Sequence, residues 1–209
     1  MLVVDIETMP NPEQLKNIQE MEIKPSKTIK DPAKIQADIA EKRQALIDKM
    51  ALSPLYGKIA CIGFYGAAYK DVIVSDEKSM IQELFKRISG RKVITFNGKS
   101  FDFDFIIKRG ILNGVSKLTD LEAYTDKYKA FNHADLMQLW CKYGEYISLN
   151  ELAKVILGKT KVDFDVKQIP MLLSTPEGQV KLKEYCLQDC RLTYELAVKF
   201  GVAKELVKV

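Results

Sequence analysis

The chain opens with an apolar run that ends in two acidic residues. Residues 1–7 read Met-Leu-Val-Val-Asp-Ile-Glu, a pattern typical of a short buried β-strand. Because side chains alternate across a strand, we expect Asp5 and Glu7 to share one face. Two carboxylates on one face repel each other. The strand therefore either runs into an acidic turn open to solvent or helps to bind a divalent cation.

The segment that follows is polar and rich in proline. Two prolines in residues 8–12 predict a turn. Residues 13–57 are expected to form an irregular, partly helical excursion. Within it, an Asp-Pro pair predicts the start of an amphipathic helix over residues 32–51. The polar face of that helix is basic, and is either a solvated surface or a clamp for nucleic acid. Its basic residues are Lys42, Arg43 and Lys49.

Strand and helix patterns alternate along the remaining chain. We predict strands over residues 58–65, 71–75 and 92–96, the first two as a hairpin, and a short strand or helical turn over 133–140. Helices are predicted over residues 77–89, 101–109 (closed by Gly110), 148–157, 175–187 and 189–207. The last two are either separate helices or one continuous helix. This order predicts an α/β fold, with one mixed β-sheet flanked by helices, in a single domain over residues 1–209.

Composition narrows the class of protein. The chain has 209 residues, of which 47% are hydrophobic and 29% charged, as in soluble globular proteins. No apolar stretch approaches the ~20 residues that cross a bilayer, and no secretory signal opens the chain. We therefore expect a cytoplasmic protein with no membrane partner. Its four cysteines include no Cys-x-x-Cys pair, and the single histidine limits any zinc site, so we expect reduced, mostly buried thiols.

Two further acidic positions follow the predicted elements. Asp102 ends the sequence Asn-Gly-Lys-Ser-Phe-Asp directly after a predicted strand, where ligands collect in open α/β sheets. Tyr185 and Asp189 lie four residues apart and so share one helix face. Taken singly, Asp102 is equally typical of a helix cap and Asp189 of a solvated helix residue.

Together these residues resemble a known set. Asp-x-Glu on the first strand, Asn-x-x-x-Phe-Asp and Tyr-x-x-x-Asp, in this order, resemble the signature of the DEDD 3′–5′ exonucleases. The tyrosine resembles that of the "y" subgroup, since Glu184 stands where the other subgroup has histidine. The chain looks closest to stand-alone relatives of the exonuclease domain of family B DNA polymerases. The resemblance spans residues 1–200 and implies a ribonuclease H-like fold.

The resemblance also implies a mechanism. Two Mg²⁺ or Mn²⁺ ions, about 4 Å apart, would activate water and stabilise the leaving 3′ oxygen. Asp5 would bridge both ions, Glu7 and Asp189 would complete one site, and Asp102 would hold the other ion mainly through water. Tyr185 would orient the attacking water, because a phenol with a pKa near 10 is a poor general base. Hard cations prefer oxygen ligands, so four carboxylates suit them.

Other residues are weaker candidates. Thr8 and Asn97 are placed to contact the terminal nucleotide or the DNA, and Asn97 is alternatively a brace for the turn before Asp102. Phe101 is a candidate for stacking on a base, with core packing as the alternative. Asp135 is expected to support the structure rather than to catalyse.

The leading hypothesis is a metal-dependent 3′–5′ exonuclease acting on single-stranded DNA ends. No polymerase fits in 209 residues, so proofreading would act in trans. We expect a role in DNA replication, recombination or repair. Alternatives are a 3′–5′ exoribonuclease, a non-catalytic nucleic-acid-binding module on the same fold, and a structure-specific endonuclease.

Overall fold

The computed structural model describes residues 1–116, 124, 132–142 and 144–204. The chain forms two compact units. The larger comprises Met1–Glu7 and Ile59–Val209, and the smaller comprises Thr8–Lys58. The predicted excursion at residues 13–57 falls within the smaller unit. A single domain over residues 1–209 stays a prediction.

A five-stranded mixed sheet has the order β3-β2-β1-β4-β5. Strand β4 pairs in parallel with β1 and with β5, whereas β2 and β3 form the predicted antiparallel hairpin. The strands are β1 (Leu2–Pro10), β2 (Gly57–Gly66), β3 (Lys70–Ile73), β4 (Val93–Thr95) and β5 (His133–Asp135). A mixed sheet with accompanying helices confirms the predicted α/β fold.

Eight α-helices are found in the described part of the chain. They are α1 (Pro12–Glu20), α2 (Pro32–Asp48), α3 (Glu77–Ile88), α4 (Asp102–Leu112), α5 (Leu136–Trp140), α6 (Leu149–Leu157), α7 (Ile169–Leu172) and α8 (Pro176–Lys199). Two 3₁₀ turns cover Met50–Leu52 and Val166–Gln168. Among the described helices, none combines the length and the apolar character needed to cross a membrane.

Local capping explains where several helices begin. Asp31 caps α2 by accepting hydrogen bonds from two backbone N–H groups of the first turn. Ser148 and Glu151 form the predicted capping box at α6. The weakly patterned segment around residues 120–132 lies almost entirely outside the described residues.

Some boundaries differ from those predicted. β1 continues through residues 8–10, where a turn was predicted, and its last residue is Pro10, at a strand end where a missing N–H costs little. Helix α4 passes through Gly110 and ends before Gly114, whose φ of +62° suits glycine. The two predicted C-terminal helices are one, α8, because neither glycine nor proline interrupts residues 179–199.

Two apolar clusters cover the two faces of the sheet within the larger unit. One contains Leu2, Val4 and Ile6 of β1 with residues of α3 and α4. The other contains Val3 of β1 with residues of α6 and α8. The alternation along β1 therefore turns odd-numbered side chains towards α8. This orientation determines which face of β1 carries the acidic pair.

Candidate active site

Strand β1 delivers the first two carboxylates. Asp5 and Glu7 follow Val3 at alternate positions and lie on the α8 side of the sheet. Glu7 is 9% exposed. The predicted common face for this pair is confirmed, and it is a buried face rather than a solvated turn.

The turn after β4 positions the third carboxylate. Asn97 has a φ of +66°, a conformation that asparagine tolerates better than most residues. The buried Asp135 carboxylate accepts hydrogen bonds from the backbone N–H groups of Asn97, at 2.9 Å, and Lys99, at 3.0 Å. Asp135 thus has the structural role predicted for it. These hydrogen bonds fix the turn, and α4 begins directly after it at Asp102. Asp102 therefore lies just after a strand, as predicted.

Asp102 is connected to β1 through a backbone hydrogen bond. Its Oδ1 accepts from the N–H of Ile6 at 3.0 Å, across 96 residues of sequence. Ile6 lies between Asp5 and Glu7 in β1, so this bond brings the start of α4 beside the acidic pair.

Helix α8 supplies the last two predicted residues. Tyr185 and Asp189 lie one turn apart and both line the cleft described below. The Tyr185 ring stacks on Phe164, with ring centroids 4.0 Å apart and planes inclined by 15°. This stacking restrains the phenol ring. The position of the ring therefore depends on the segment before α7, which contains Phe164.

The predicted carboxylates converge on one cleft of about 420 Å³ in the larger unit. Carboxylate oxygens of Asp5, Glu7 and Asp189 lie within 4.8 Å of one another. Asp102 lines the same cleft without belonging to that closest group. The structure therefore brings together all five residues of the predicted catalytic set.

Burial and mutual repulsion disfavour negative charge in this cleft. Burial raises the pKa of Asp5 well above its ordinary value, and the charges of Asp102, Glu7 and Asp189 raise it further. Burial, the larger effect, also raises the pKa of Glu7, and neighbouring negative charges raise it further. Burial raises the pKa of Asp102 to about 7. Burial likewise raises the pKa of the Tyr185 phenol, which argues against its acting as a general base.

Lys161 is a further residue of the cleft that was not predicted from the sequence. Its ammonium forms an ion pair with the Asp189 carboxylate and lies 5.0 Å from the centre of the Tyr185 ring. Burial lowers the pKa of Lys161, but the charge of Asp189 and the hydrogen bonds to Asp189 and Tyr185 together outweigh burial, so the net pKa is raised. The loop is held by a hydrogen bond from the Lys161 N–H to Asn150 Oδ1 at 2.8 Å. The only local signal was the concentration of lysines in this loop, at positions 159, 161 and 167.

The weaker candidates have different environments. Asn97 and Phe101 line the cleft, and the Phe101 ring also packs against Phe105 at 5.7 Å. Phe101 is thus partly in the core and partly available to a ligand. Thr8 is buried and belongs to the smaller unit. Contacts of these three residues with a substrate stay predictions.

The donor set fits hard divalent cations. Oδ1 of Asp189 is buried and makes no hydrogen bond within the described residues, so one ligand atom is left for another group. Asp5 and Glu7 carry raised pKa values that a cation would lower. All four acids offer oxygen, the ligand type that Mg²⁺ and Mn²⁺ prefer.

A larger cleft of about 810 Å³ flanks another face of α8 in the same unit. Its charged groups are largely paired with one another, since Glu195 accepts from Lys159 at 2.5 Å and from Arg191 at 3.1 Å. Carboxylates do not converge there as they do at Asp5. The candidate chemistry therefore belongs to the smaller cleft.

Known proteins resemble this chain over most of its length. It is 29% identical over 160 residues to a DNA polymerase of Thermococcus aggregans, a match covering 68% of this chain and 9% of the polymerase. DNA polymerase 1 of Aeropyrum pernix is 32% identical over 140 residues, covering 59% of this chain and 14% of that protein. The chain thus spans less than a fifth of the length of these relatives.

The fold has a counterpart among solved structures. The family B DNA polymerase of the hyperthermophilic archaeon Pyrobaculum calidifontis superposes with a TM-score of 0.61 at 15% identity, over 96% of this chain and 24% of that one. This likeness is consistent with the predicted ribonuclease H-like fold.

A family described as predicted 3′–5′ exonucleases related to the exonuclease domain of PolB matches residues 68–208. That match includes Asp102, Tyr185 and Asp189, while Asp5 and Glu7 precede it. With its fold and its converging carboxylates, the chain belongs to this family of PolB-like 3′–5′ exonuclease domains.

Proposed function

We propose that this protein is a metal-dependent 3′–5′ exonuclease that removes nucleotides from the 3′ end of single-stranded DNA. The observation that carries the proposal is the convergence of the Asp5, Glu7 and Asp189 carboxylates within 4.8 Å, beside Asp102. Three buried carboxylates and the half-buried Asp5 in one cleft are costly without cations to bind. The polymerase relatives support DNA as the substrate.

In the proposed mechanism, Asp5, Glu7, Asp102 and Asp189 would hold two Mg²⁺ or Mn²⁺ ions. Such ions, when bound, supply an activated water and stabilise charge on the leaving 3′ oxygen. Tyr185 stays protonated and orients the water through its hydroxyl. Lys161 provides a fixed positive charge where the negatively charged scissile phosphate enters the cleft.

The test uses three substrates of matched sequence: 5′-labelled single-stranded DNA, the equivalent RNA, and closed circular single-stranded DNA. Each is incubated with Mg²⁺, with Mn²⁺ or with EDTA. We expect a metal-dependent ladder that shortens from the 3′ end of the linear DNA and stops in EDTA. Faster degradation of RNA would instead favour an exoribonuclease, and cleavage of the circle an endonuclease.

Two acidic residues of α4 offer a matched pair of variants. Asp102→Asn removes a charge from the cleft, whereas Asp104→Asn removes one from an exposed carboxylate paired with Lys108 at 2.7 Å. We expect Asp102→Asn and Asp189→Asn to slow the ladder by at least about a hundredfold, and Asp104→Asn to leave it unchanged. Binding of DNA without turnover in the unmodified protein would indicate a non-catalytic module.

The biological setting of this activity is also a proposal. The polymerase relatives favour a role in DNA replication or repair.

A further inference from the structure

Three buried thiols lie directly behind the candidate active site. Cys186 and Cys190 are one turn apart on α8, and Cys61 lies on β2; all three side chains are fully buried. The neighbouring Cys186 thiol and burial together raise the pKa of the Cys61 thiol, which places these two side chains side by side. The proposed exonuclease mechanism uses none of these sulfurs.

Space for the two α8 thiols is provided by a glycine of the facing strand. A Cβ atom built on Gly63 of β2 would lie 2.6 Å from the Cys190 Sγ and 2.7 Å from the Cys186 Sγ. The sulfurs therefore occupy the volume that a side chain at position 63 would fill. Strand and helix approach closely here, and both thiols point towards the sheet.

Asp5 borders this sulfur cluster as well as the cleft. Its Oδ2 lies 3.9 Å from the Cys186 Sγ. One ligand atom from each of Asp5, Cys186 and Cys190 lies within 4.8 Å of the other two. Asp5 thus belongs to two groups of metal-ligating side chains, an all-oxygen group with Glu7 and Asp189 and a sulfur-rich group with the cysteines.

The two groups suit different metals. Oxygen ligands suit Mg²⁺ and Mn²⁺, whereas thiolates favour Zn²⁺ and its heavier relatives such as Cd²⁺. Zinc bonds of about 2.3 Å to sulfur and about 2.0 Å to oxygen require ligand atoms roughly 3.5–3.8 Å apart. The sulfur-rich group reaches that spacing when its side chains close by about 1 Å. Cys61 supplies a further sulfur beside Cys186.

We propose that Asp5, Cys186 and Cys190 form a second metal site, specific for thiophilic divalent cations, whose occupation withdraws Asp5 from the all-oxygen group and inhibits the enzyme. Each thiol that binds the ion releases its proton to solvent. Metal binding at this site stands independently of the enzymatic activity, whereas inhibition rests on the proposed exonuclease function.

Binding is tested with Cd²⁺ on the reduced, metal-free full-length protein, by following the ultraviolet absorption that thiolate coordination to cadmium produces. We expect one Cd²⁺ ion per chain with this absorption, competition by Zn²⁺, and no competition by excess Mg²⁺. The double variant Cys186→Ala/Cys190→Ala should lose the absorption. Cys141→Ala, which removes the one cysteine outside the cluster, should retain it.

The site is refuted if the double variant absorbs as strongly as the unmodified protein, or if the unmodified protein shows no such absorption. Circular dichroism establishes that each variant is folded. Where the double variant does not fold, Cys190→Ala alone serves, with an expected loss of at least about tenfold in Cd²⁺ affinity.

Inhibition is tested by the ratio of ladder rates with and without Zn²⁺ at saturating Mg²⁺. We expect a reduction of about tenfold or more for the unmodified protein and for Cys141→Ala, and less than about twofold for the double variant. Equal inhibition of all three would place the zinc effect at the oxygen ligands and overturn the regulatory role. Absence of a ladder in every protein would refute the exonuclease, while the cadmium result would still decide the metal site.

Discussion

At the residue scale, the four carboxylates of the site differ in what compensates their charge. Asp102 accepts a backbone hydrogen bond from Ile6, and Asp189 pairs with Lys161. Among the described residues, the Asp5 side chain accepts a hydrogen bond only from the weak thiol donor Cys186, at 3.9 Å. This compensation is incomplete, so the carboxylates repel one another, and bound cations would relieve the repulsion.

The first prediction concerns the pH dependence of stability in EDTA. A carboxyl group whose pKa is raised on folding binds more protons in the folded chain, so the free energy of unfolding falls as pH rises through that range. For Asp102 this range runs from the unfolded pKa of about 4 to the folded pKa of about 7. Asp102→Asn keeps an oxygen for the Ile6 N–H but does not titrate.

We therefore expect the Asp102→Asn variant to gain stability relative to the unmodified protein as pH rises through this window, by about 1–4 kcal/mol in total. Denaturant titrations at several pH values measure this difference, and Asp104→Asn is the control. A difference that does not change with pH would contradict the raised pKa of Asp102.

The second prediction concerns Lys161. Replacing it with methionine removes the positive charge beside Asp189 and Tyr185 but keeps most of the apolar stem. We expect the exonuclease rate at saturating Mg²⁺ to fall by about ten- to a hundredfold, because a fixed charge at the phosphate is lost. Lys159→Met is the matched control, since Lys159 pairs with Glu195 outside the cleft. Equal effects of the two substitutions would show that Lys161 has no special role.

At the scale of secondary-structure elements, the contact between β2 and α8 determines the position of the Asp189 carboxylate. Gly63 allows the strand to approach the cysteine face of the helix, and Asp189 precedes Cys190 on the same helix. The position of Tyr185 and Asp189 therefore depends on a backbone approach that only glycine permits at position 63.

The third prediction tests this approach. Gly63→Ala places a Cβ atom against two sulfurs at less than 3.0 Å, so either the thiols or helix α8 must shift. We expect a loss of about 1–3 kcal/mol in the free energy of unfolding, as for other overpacked cores, measured by urea denaturation. Gly90→Ala is an instructive comparison, because the left-handed φ of +68° is strained for alanine while no atom lies near the new Cβ. Retention of full stability by Gly63→Ala would show that the interface adapts.

At the scale of the whole molecule, the smaller unit Thr8–Lys58 has its own internal organisation. Helix α2 carries three basic and three acidic residues, and two of its cations are engaged within the unit. Arg43 donates to the backbone carbonyls of Ile18, Gln19 and Met21 at the end of α1. Lys42 pairs with Asp38 at 2.8 Å and donates to Ser26 Oγ. These contacts favour a structural role for the two residues over the nucleic-acid clamp considered from sequence.

The fourth prediction follows from those contacts. Arg43→Ala removes the donors for three carbonyls at the C-terminal end of α1, at an expected cost of about 1–3 kcal/mol. Limited proteolysis should then cleave residues 8–58 faster than in the unmodified protein. Lys34→Ala, at an exposed position near the start of α2, should leave the cleavage rate unchanged. If Arg43→Ala instead weakened DNA binding and left the cleavage rate unchanged, the result would favour the nucleic-acid clamp.

Elements that depend on local residue order were predictable from the sequence. Period-2 alternation put Asp5 and Glu7 on one face, spacing of four put Tyr185 and Asp189 on one helix face, and the Ser148–Glu151 capping box gave the start of α6. The resemblance between three short motifs and a known family correctly named the family and the fold. These features depend on residues close together in the chain, so a linear pattern contains them.

Contacts between groups that are distant in the sequence became visible only in the folded chain. Lys161 reaches Asp189 from a loop without regular periodicity, and Asp135 braces the turn at Asn97 from 38 residues away. The ends of β1 and α4 also escaped prediction, since long-range pairing and packing override local turn signals. The three thiols meet behind Asp5 because Gly63 lets β2 approach α8. No linear pattern of residues encodes such contacts, because they arise only when the sheet and its helices pack together.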